Sequence, residues 1–288
     1  MPGADMEALS IPALDGYALG ATLFRPASPN GRAVQIHAAA GVRQEYYAPF
    51  AAYLAWRGFT VVTFDYRGVG RSAPADLKRS PARISDWGTL DAPAILGFAE
   101  RNLSRRPILI VAHSVGGPST AIMPGNERVG GLLAVASQSC YWRLWPGIDR
   151  AGIWFLTHVL LPVGVRACGY FPGALLRQGE NLPPGIALEW AHWCRHPRYL
   201  LGALGPKAEA QAARFIAPLR LLDITDDSFY APEAAGRALL DLFPNAARER
   251  VSIRPEDAGV ERIGHFGYFR ERFRDTLWPA AADWLEKL

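Results

Sequence analysis

One serine of the chain stands where its hydroxyl could take part in chemistry. The segment VAHSVGG, residues 111–117, places Ser114 after an apolar run that favours a buried strand and before PSTAIM, which can begin a helix. A sharp strand-to-helix turn at a serine, with small residues two positions before and two after it, is typical of an exposed nucleophile. Ala112 and Gly116 are the small residues here. The alternative is a serine that ends the strand and caps the helix that follows.

A reactive serine needs a base, and one histidine stands in a suitable place. A serine hydroxyl is a weak nucleophile at neutral pH, so a base must lie within hydrogen-bond reach. Imidazole suits this work because its unperturbed pKa is about 6.5. His265 lies on a glycine-flanked loop, RIGHFGYF, before the last predicted helix. The other histidines flank early small-residue turns or fall in the middle of the chain: His37, His113, His158, His192 and His196. We therefore favour His265 as the base.

Two adjacent acids could orient that base. In LRLLDITDDSFYAP, Asp226 and Asp227 follow a predicted strand, where one carboxylate can face the histidine and the other solvent or a helix N-terminus. Asp223 is a weaker candidate because it falls within the strand. The order along the chain is then serine, acid, histidine, which differs from the orders of the chymotrypsin and subtilisin types.

The elements that must position these residues alternate between strands and helices. Several strands are apolar throughout, which favours a mainly parallel sheet covered on both faces and hence an α/β fold. Ligands bind such sheets beyond the carboxyl ends of the strands, and Ser114 lies at such an end. We expect a hairpin around Asp15 and Gly16, a helix ended by Gly58, a helix over 91–103 with Asp91 as its N-cap, and a last helix over 268–288.

The alternation stops in the middle of the chain. Residues 139–210 are rich in aromatic residues, proline and glycine. We interpret residues 1–138 and 211–288 as two parts of one core, and residues 139–210 as a helical cap inserted over the sheet edge that bears Ser114. The alternative is a helical extension that only completes the core.

Composition argues against several other classes of protein. The 288 residues are 50% hydrophobic and 20% charged, which is ordinary for a globular protein. The net charge is +4 and the arginines are scattered, so nucleic-acid binding has no support. No run of about 20 apolar residues is free of polar or helix-breaking residues, and we expect no stable membrane insertion. The nearest candidate, GIWFLTHVLLPVGV, is short and carries His158 and Pro162.

Two further features bear on the cellular compartment. The first residues, MPGADMEALSIPALDG, lack the charged and then apolar segment of a secretory signal, which predicts a cytoplasmic protein. The three cysteines, Cys140, Cys168 and Cys194, form no C-x-x-C pair and suit reduced thiols. The oligomeric state stays open.

Two other patterns suggest ligands but favour simpler interpretations. Residues 68–73 match the dinucleotide-binding pattern G-x-G-x-x-A, but a proline and a polar loop follow them where a helix would have to receive the pyrophosphate. His192, Cys194 and His196 could suggest a metal, but in a helix residue 194 points away from the face that the two histidines share. We therefore expect neither a nucleotide cofactor nor a metal.

Taken together, these segments resemble the α/β-hydrolase family, and in particular its lid-bearing, esterase- and lipase-like branch of predicted bacterial hydrolases. The motifs that carry the resemblance are VQIHAAAG, FDYRGVGRS, AHSVGG, LLDITDDSFYAP and GHFGYF. The resemblance implies that Ser114 is the nucleophile, His265 the base and Asp227 the acid. It also implies that two backbone amides, those of Val115 and Ala39, hold the oxyanion of the reaction.

The resemblance further implies an enzyme that acts on a small acyl substrate without a cofactor. We expect hydrolysis of a carboxylic ester, or of a thioester or an amide, through an acyl-serine. Acyl transfer by the same residues and a silent binding protein on the same fold are the alternatives. Three aromatic residues of the cap could form an apolar slot for the acyl group, or simply fill the core: Trp142, Trp145 and Trp154.

Overall fold

The computed structural model describes residues 5–176 and 179–288. Within these ranges eight strands form one sheet, in the order β1-β2-β4-β3-β5-β6-β7-β8. The first two strands pair antiparallel, β2 pairs antiparallel with β4, and all the other pairs are parallel. The strands are β1 Asp5–Pro12, β2 Ala18–Arg25, β3 Ala33–His37, β4 Thr60–Phe64, β5 Leu109–His113, β6 Gly131–Val135, β7 Pro218–Ile224 and β8 Ala247–Ile253. The predicted α/β fold is confirmed.

Helices flank this sheet, and the central strands are buried from end to end. Every residue of β3, β5 and β6 is buried, as expected for parallel strands covered on both faces. The α-helices are α1 Ala48–Trp56, α2 Ile84–Asp86, α3 Ala92–Asn102, α4 Gly116–Ala121, α5 Gly147–Phe155, α6 Leu161–Cys168, α7 Pro184–Arg195, α8 Tyr199–Leu204, α9 Pro206–Ala212, α10 Glu233–Leu240 and α11 Trp278–Lys287.

Most local predictions for the core agree with the structure, but the side chain of Asp91 does not cap α3 as predicted. The hairpin β1–β2 turns at Asp15 and Gly16, and α1 is followed by Gly58 in a left-handed conformation. Asp91 precedes α3, yet its carboxylate accepts no hydrogen bond from that helix. It accepts instead from the backbone and the guanidinium of Arg67, at 3.0 and 2.7 Å, and so holds the turn after β4.

The last helix is shorter than predicted. It begins at Trp278, whereas the sequence analysis placed its start ten residues earlier. The reason is Pro279, which lacks an N–H and clashes with the preceding turn in a helix interior but is tolerated in the first turn. The segment before it packs as turns that bury Tyr268, Phe269 and Phe273.

Residues 139–210 are mainly helical in the structure. They contain α5 to α8 and most of α9, with a two-residue bridge between Phe171 and Leu182. The division of the chain at 138 and 210 remains a prediction, but β6 ends shortly before this segment and β7 begins shortly after it. The helical insertion therefore leaves the sheet just beyond the carboxyl end of β6.

One helical run of the insertion is longer than the sequence analysis anticipated. Gly147–Cys168 is helical over 22 residues, which is long and apolar enough to cross a membrane by length and composition alone. From the sequence, only residues 152–165 of this run were a candidate, and they were set aside as too short and as carrying His158 and Pro162. Pro162 lies in the first turn of α6, after a π-helical turn, where the missing N–H is tolerated. Ile148, Phe155 and Val163 on this run are exposed. The absence of stable membrane insertion remains a prediction.

Candidate active site

Ser114 occupies a strained turn between β5 and α4. Its φ angle is +54°, in the left-handed region, which costs a residue with a β-carbon about 1–2 kcal/mol. The turn is held because the Ser114 amide donates to the carbonyl of Val135 on the neighbouring strand, at 3.2 Å. Ser114 is almost buried and lines a cavity. The sheet thus forces its side chain out of the strand, toward that cavity.

The small residues around Ser114 make this turn possible. A β-carbon added to Gly116 would lie 2.7 Å from the carbonyl oxygen of His37, so only glycine fits so close to the end of β3. Ala112, which stands where the pattern more often has glycine, is buried within β5. A methyl group is therefore accommodated at that position.

His265 and Asp227 form a buried hydrogen-bonded pair. The Nδ1 atom of His265 lies 2.5 Å from Oδ2 of Asp227, and the two side chains are 3% and 2% exposed. The other carboxylate oxygen of Asp227 accepts from the amide of Tyr230, at 3.2 Å, and the Tyr230 ring stacks on the imidazole. A proton held on Nδ1 by the carboxylate leaves Nε2 as the acceptor nitrogen. This is the arrangement that a general base requires.

The adjacent acids have different partners. The carboxylate of Asp226 accepts from the amides of Ile263 and Gly264, each at 3.0 Å, and so anchors the loop that carries His265. Asp223 forms an ion pair with Arg250. Of the three acids considered from the sequence, Asp227 therefore contacts the histidine ring.

Ser114 and His265 line the same cavity, and Gln138 lines it as well. No hydrogen bond joins the Ser114 hydroxyl to the imidazole, although both residues belong to the described part of the chain. Such catalytic bonds are often long in the absence of substrate and shorten when it binds. Oγ of Ser114 instead accepts from Nε2 of Gln138, at 3.4 Å. The sequence analysis missed Gln138, whose signal was its place just beyond β6, the strand beside β5.

A buried hydrogen-bond chain ties three loops of the site together. The amide of Ala39 donates to the hydroxyl of Tyr47 at 2.8 Å, and that hydroxyl contacts Nδ1 of His113 at 2.8 Å. On its other side, Nε2 of His113 donates to the carbonyl of His265 at 3.0 Å. Burial holds the pKa of His113 well below its usual value, so the ring stays neutral and can serve both neighbours. The sequence did not predict that Tyr47 links Ala39 to His113, because the three residues lie on different elements.

The oxyanion site remains a prediction, but one of its two predicted amides takes part in this hydrogen-bond network. The Ala39 amide is already engaged by Tyr47, so it is not free to hold an oxyanion. Ala40 also lines the cavity. Within the described residues, the amides of Ala40 and Val115 donate to no protein acceptor. The role of Val115 therefore stays a prediction, and we propose the Ala40 amide in place of that of Ala39.

The cavity lies between the sheet edge and the helical insertion. Trp145 lines it, as predicted, and donates through Nε1 to the carbonyl of Phe229 at 2.6 Å. Trp142 and Trp154 do not line it; both pack against His158 elsewhere on the insertion. Most of the lining side chains are apolar. The full lining is Ala39, Ala40, Ser114, Gln138, Cys140, Trp145, Ile153, Leu156, Thr157, Phe171, Leu182, Trp190, Cys194, Phe229, Tyr230, His265 and Phe266.

Two sets of residues had suggested a ligand from the sequence: the segment 68–73, and the group of His192, Cys194 and His196. Cys194 is buried and lines the cavity, whereas His192 on the same helix is exposed. In the segment 68–73, a 3-10 turn follows the first glycine, and the Asp65 carboxylate accepts from the Arg71 amide at 2.9 Å. His37 is fully buried, and burial lowers its pKa to about 3.

Comparison with known proteins agrees with the fold. The sequence model of the alpha/beta hydrolase family matches residues 36–276. No curated protein sequence matches the chain significantly.

Solved structures show the same architecture at low sequence identity. An esterase of Pyrococcus furiosus is 13% identical with a TM-score of 0.62, over 99% of this chain and 91% of its own. The protein Est1E of Butyrivibrio proteoclasticus, solved with ferulic acid, is 17% identical with a TM-score of 0.63, over 97% of this chain and 98% of its own. A monoacylglycerol lipase of Paleococcus ferrophilus is 16% identical with a TM-score of 0.61, over 93% and 98%. Because the family model spans most of the chain, this protein belongs to the α/β-hydrolase family.

Proposed function

We propose that this hydrolase cleaves carboxylic esters through an acyl-serine intermediate. The observation that carries the proposal is the strained Ser114, which faces a cavity that it shares with the hydrogen-bonded pair of His265 and Asp227. A hydroxyl becomes a useful nucleophile when a neutral imidazole can take its proton and a carboxylate fixes the imidazole. No other serine of the described chain combines these features.

The proposed reaction has two halves. Nε2 of His265 takes the hydroxyl proton as Oγ of Ser114 attacks the carbonyl carbon, and Asp227 stabilises the imidazolium. The amides of Val115 and Ala40 donate to the oxyanion of the tetrahedral intermediate. His265 then returns the proton to the departing alcohol, which leaves an acyl-serine. Water, activated by the same imidazole, attacks this ester, and the carboxylic acid is released with Ser114 regenerated.

The lining of the cavity supports an acyl substrate. Apolar side chains from the insertion, such as Trp145, Ile153 and Phe171, close one side of it. Such a surface binds an alkyl or aryl chain through the hydrophobic effect. The similar structures named above as an esterase and a monoacylglycerol lipase make an ester the favoured substrate.

An acyl-length series tests this function. We expect the purified protein to hydrolyse p-nitrophenyl butanoate about tenfold faster than the acetate in kcat/KM, since each buried methylene contributes about 0.8 kcal/mol. Release of p-nitrophenol and of the free acid would be followed with and without added small alcohols. Hydrolysis of none of the esters would contradict the proposal. Turnover only with added alcohol, with an ester as product, would identify an acyltransferase instead.

A further inference from the structure

A buried amide oxygen beside Ser114 has no partner. Gln138 lies three residues beyond the end of β6, is 5% exposed and lines the cavity. Its Nε2 atom contacts Oγ of Ser114 at 3.4 Å and Sγ of Cys140 at 3.6 Å. Its Oε1 atom is buried and accepts no hydrogen bond. Among the described residues, this is the one unpartnered buried side-chain oxygen or nitrogen that belongs to a residue of the cavity lining.

The orientation of this amide follows from the chemistry of the serine. A hydroxyl has one proton, and in the proposed reaction Ser114 gives it to His265. Its oxygen is therefore left to accept, and the group that faces it must be the NH₂ end of Gln138 rather than the carbonyl. Oε1 is then the end of the amide that is left for another partner.

Oε1 of Gln138 is a buried acceptor without a donor, on a residue that lines the cavity. An unsatisfied buried acceptor costs about 1–3 kcal/mol, and native proteins keep few of them. Two other polar side chains of the lining are engaged elsewhere. Thr157 donates to the carbonyl of Ile153 at 2.9 Å, and Trp190 donates to the Tyr199 hydroxyl at 3.2 Å. A hydroxyl on a bound substrate would supply the missing donor.

We infer that Gln138 selects the substrate by accepting a hydrogen bond from a hydroxyl on the acyl chain, on the first or second carbon beyond the reacting carbonyl. This inference rests on the proposed function. The two ends of one carboxamide share a carbon, so Oε1 lies at most one amide width further from Oγ than Nε2 does. The acyl carbon is bonded to Oγ in the intermediate, which brings a hydroxyl on either of the next two carbons within reach. The apolar lining receives the rest of the chain.

Three methyl esters of equal chain length test the inference. They are hexanoate, 2-hydroxyhexanoate and 3-hydroxyhexanoate, each hydroxy ester as separate enantiomers, with acid release followed by titration. We expect at least one hydroxy ester to exceed hexanoate about 10- to 100-fold in kcat/KM, because the unhydroxylated chain leaves Oε1 buried without a donor. In Gln138→Met and Gln138→Leu, which keep much of the volume but no polar atom, this ratio should fall to about 1–3.

The ratio separates substrate recognition from a general effect on the serine. Loss of the contact between Gln138 and Ser114 would lower the rates of all three esters together and leave the ratio unchanged. Ser137→Ala is the matched control, because the Ser137 hydroxyl is also buried and unpartnered but does not line the cavity. It should keep the wild-type ratio.

Each outcome decides the inference. Equal rates of wild-type protein on hexanoate and both hydroxy esters would overturn it and leave ester hydrolysis standing. A preference that persists in a folded Gln138 variant would also overturn it. If both variants unfold, as seen by circular dichroism, the wild-type ratio between the two enantiomers of one hydroxy ester decides, because enantiomers have the same intrinsic reactivity, and a ratio near 1 would overturn the inference. Hydrolysis of none of these esters or of the p-nitrophenyl series would overturn both the inference and the proposed function.

Discussion

Ser114→Ala is expected to lower kcat/KM for ester hydrolysis about 10⁴- to 10⁶-fold while the protein stays folded. The substitution removes the attacking oxygen, and what remains is the background that the cavity and the backbone amides provide. Alanine keeps the β-carbon, so the strain of the left-handed turn at φ +54° is the same in the variant. Initial rates on p-nitrophenyl butanoate, with circular dichroism and thermal melting of both proteins, would measure the effect.

A second buried serine provides the control for this prediction. Ser119 lies in α4, one turn beyond Ser114, and its hydroxyl is buried without a hydrogen-bond partner. Ser119→Ala should therefore keep the parental rate and fold. Parental activity in Ser114→Ala would show that the serine is not the nucleophile.

Asp227→Asn is expected to lower kcat about 10³- to 10⁴-fold, whereas Asp226→Asn should lower it less than about tenfold. The carboxylate of Asp227 accepts the Nδ1 proton of His265, with Nδ1 and Oδ2 2.5 Å apart, and balances the imidazolium charge. A neutral amide removes that charge and can donate to Nδ1, which moves the ring proton to Nε2, where the base must be free. Asp226 accepts from two backbone amides, and an asparagine oxygen can still accept from them.

The two variants form a matched pair because the same change is made at neighbouring positions. Rates on p-nitrophenyl butanoate would be measured at saturating substrate, with urea unfolding to compare stabilities. Asp226→Asn is expected to act mainly on stability, by weakening the hold on the loop before His265. A larger loss of kcat in Asp226→Asn than in Asp227→Asn would reverse the assignment of the acid.

The strand, turn and helix around Ser114 could be predicted from sequence because their signal is local. An apolar run that ends at a serine, followed by a segment able to form a helix, contains the strand, the turn and the helix in about a dozen residues. Gly116 adds a second local signal, since the close approach to His37 leaves no room for a β-carbon. The position of His265, after the insertion and between two glycines, predicts that its loop returns to the edge of the sheet near Ser114.

The choice between Asp226 and Asp227 could not be settled by a local pattern. Both follow β7, and adjacent residues in an extended segment project in different directions. Which of them meets the imidazole depends on how the loop at 263–266 returns to the sheet. That loop is held by Asp226 itself, through amides 37 and 38 residues further along the chain.

The predicted role of Ala39 as an oxyanion donor does not fit the hydrogen bond that its amide makes, and the sequence could not show this for a similar reason. Its amide donates to the hydroxyl of Tyr47, eight residues further along the chain, and nothing in the sequence of the AAAG loop indicates this contact.

The sequence also could not show which aromatic residues of the insertion line the cavity. Trp145 reaches the cavity, but Trp142 and Trp154 pack against His158, because the path of the insertion over the sheet is set by tertiary contacts rather than by helical periodicity.

Covalent trapping of Ser114 tests the central claim most directly. A fluorophosphonate reacts with a serine that is activated as a nucleophile, and mass spectrometry of the digested protein locates the adduct. The account predicts one phosphonyl group per chain, on the peptide that contains Ser114, with strongly slowed labelling in Asp227→Asn and none in Ser114→Ala. An unlabelled wild-type protein, or an adduct that persists in Ser114→Ala, would contradict it.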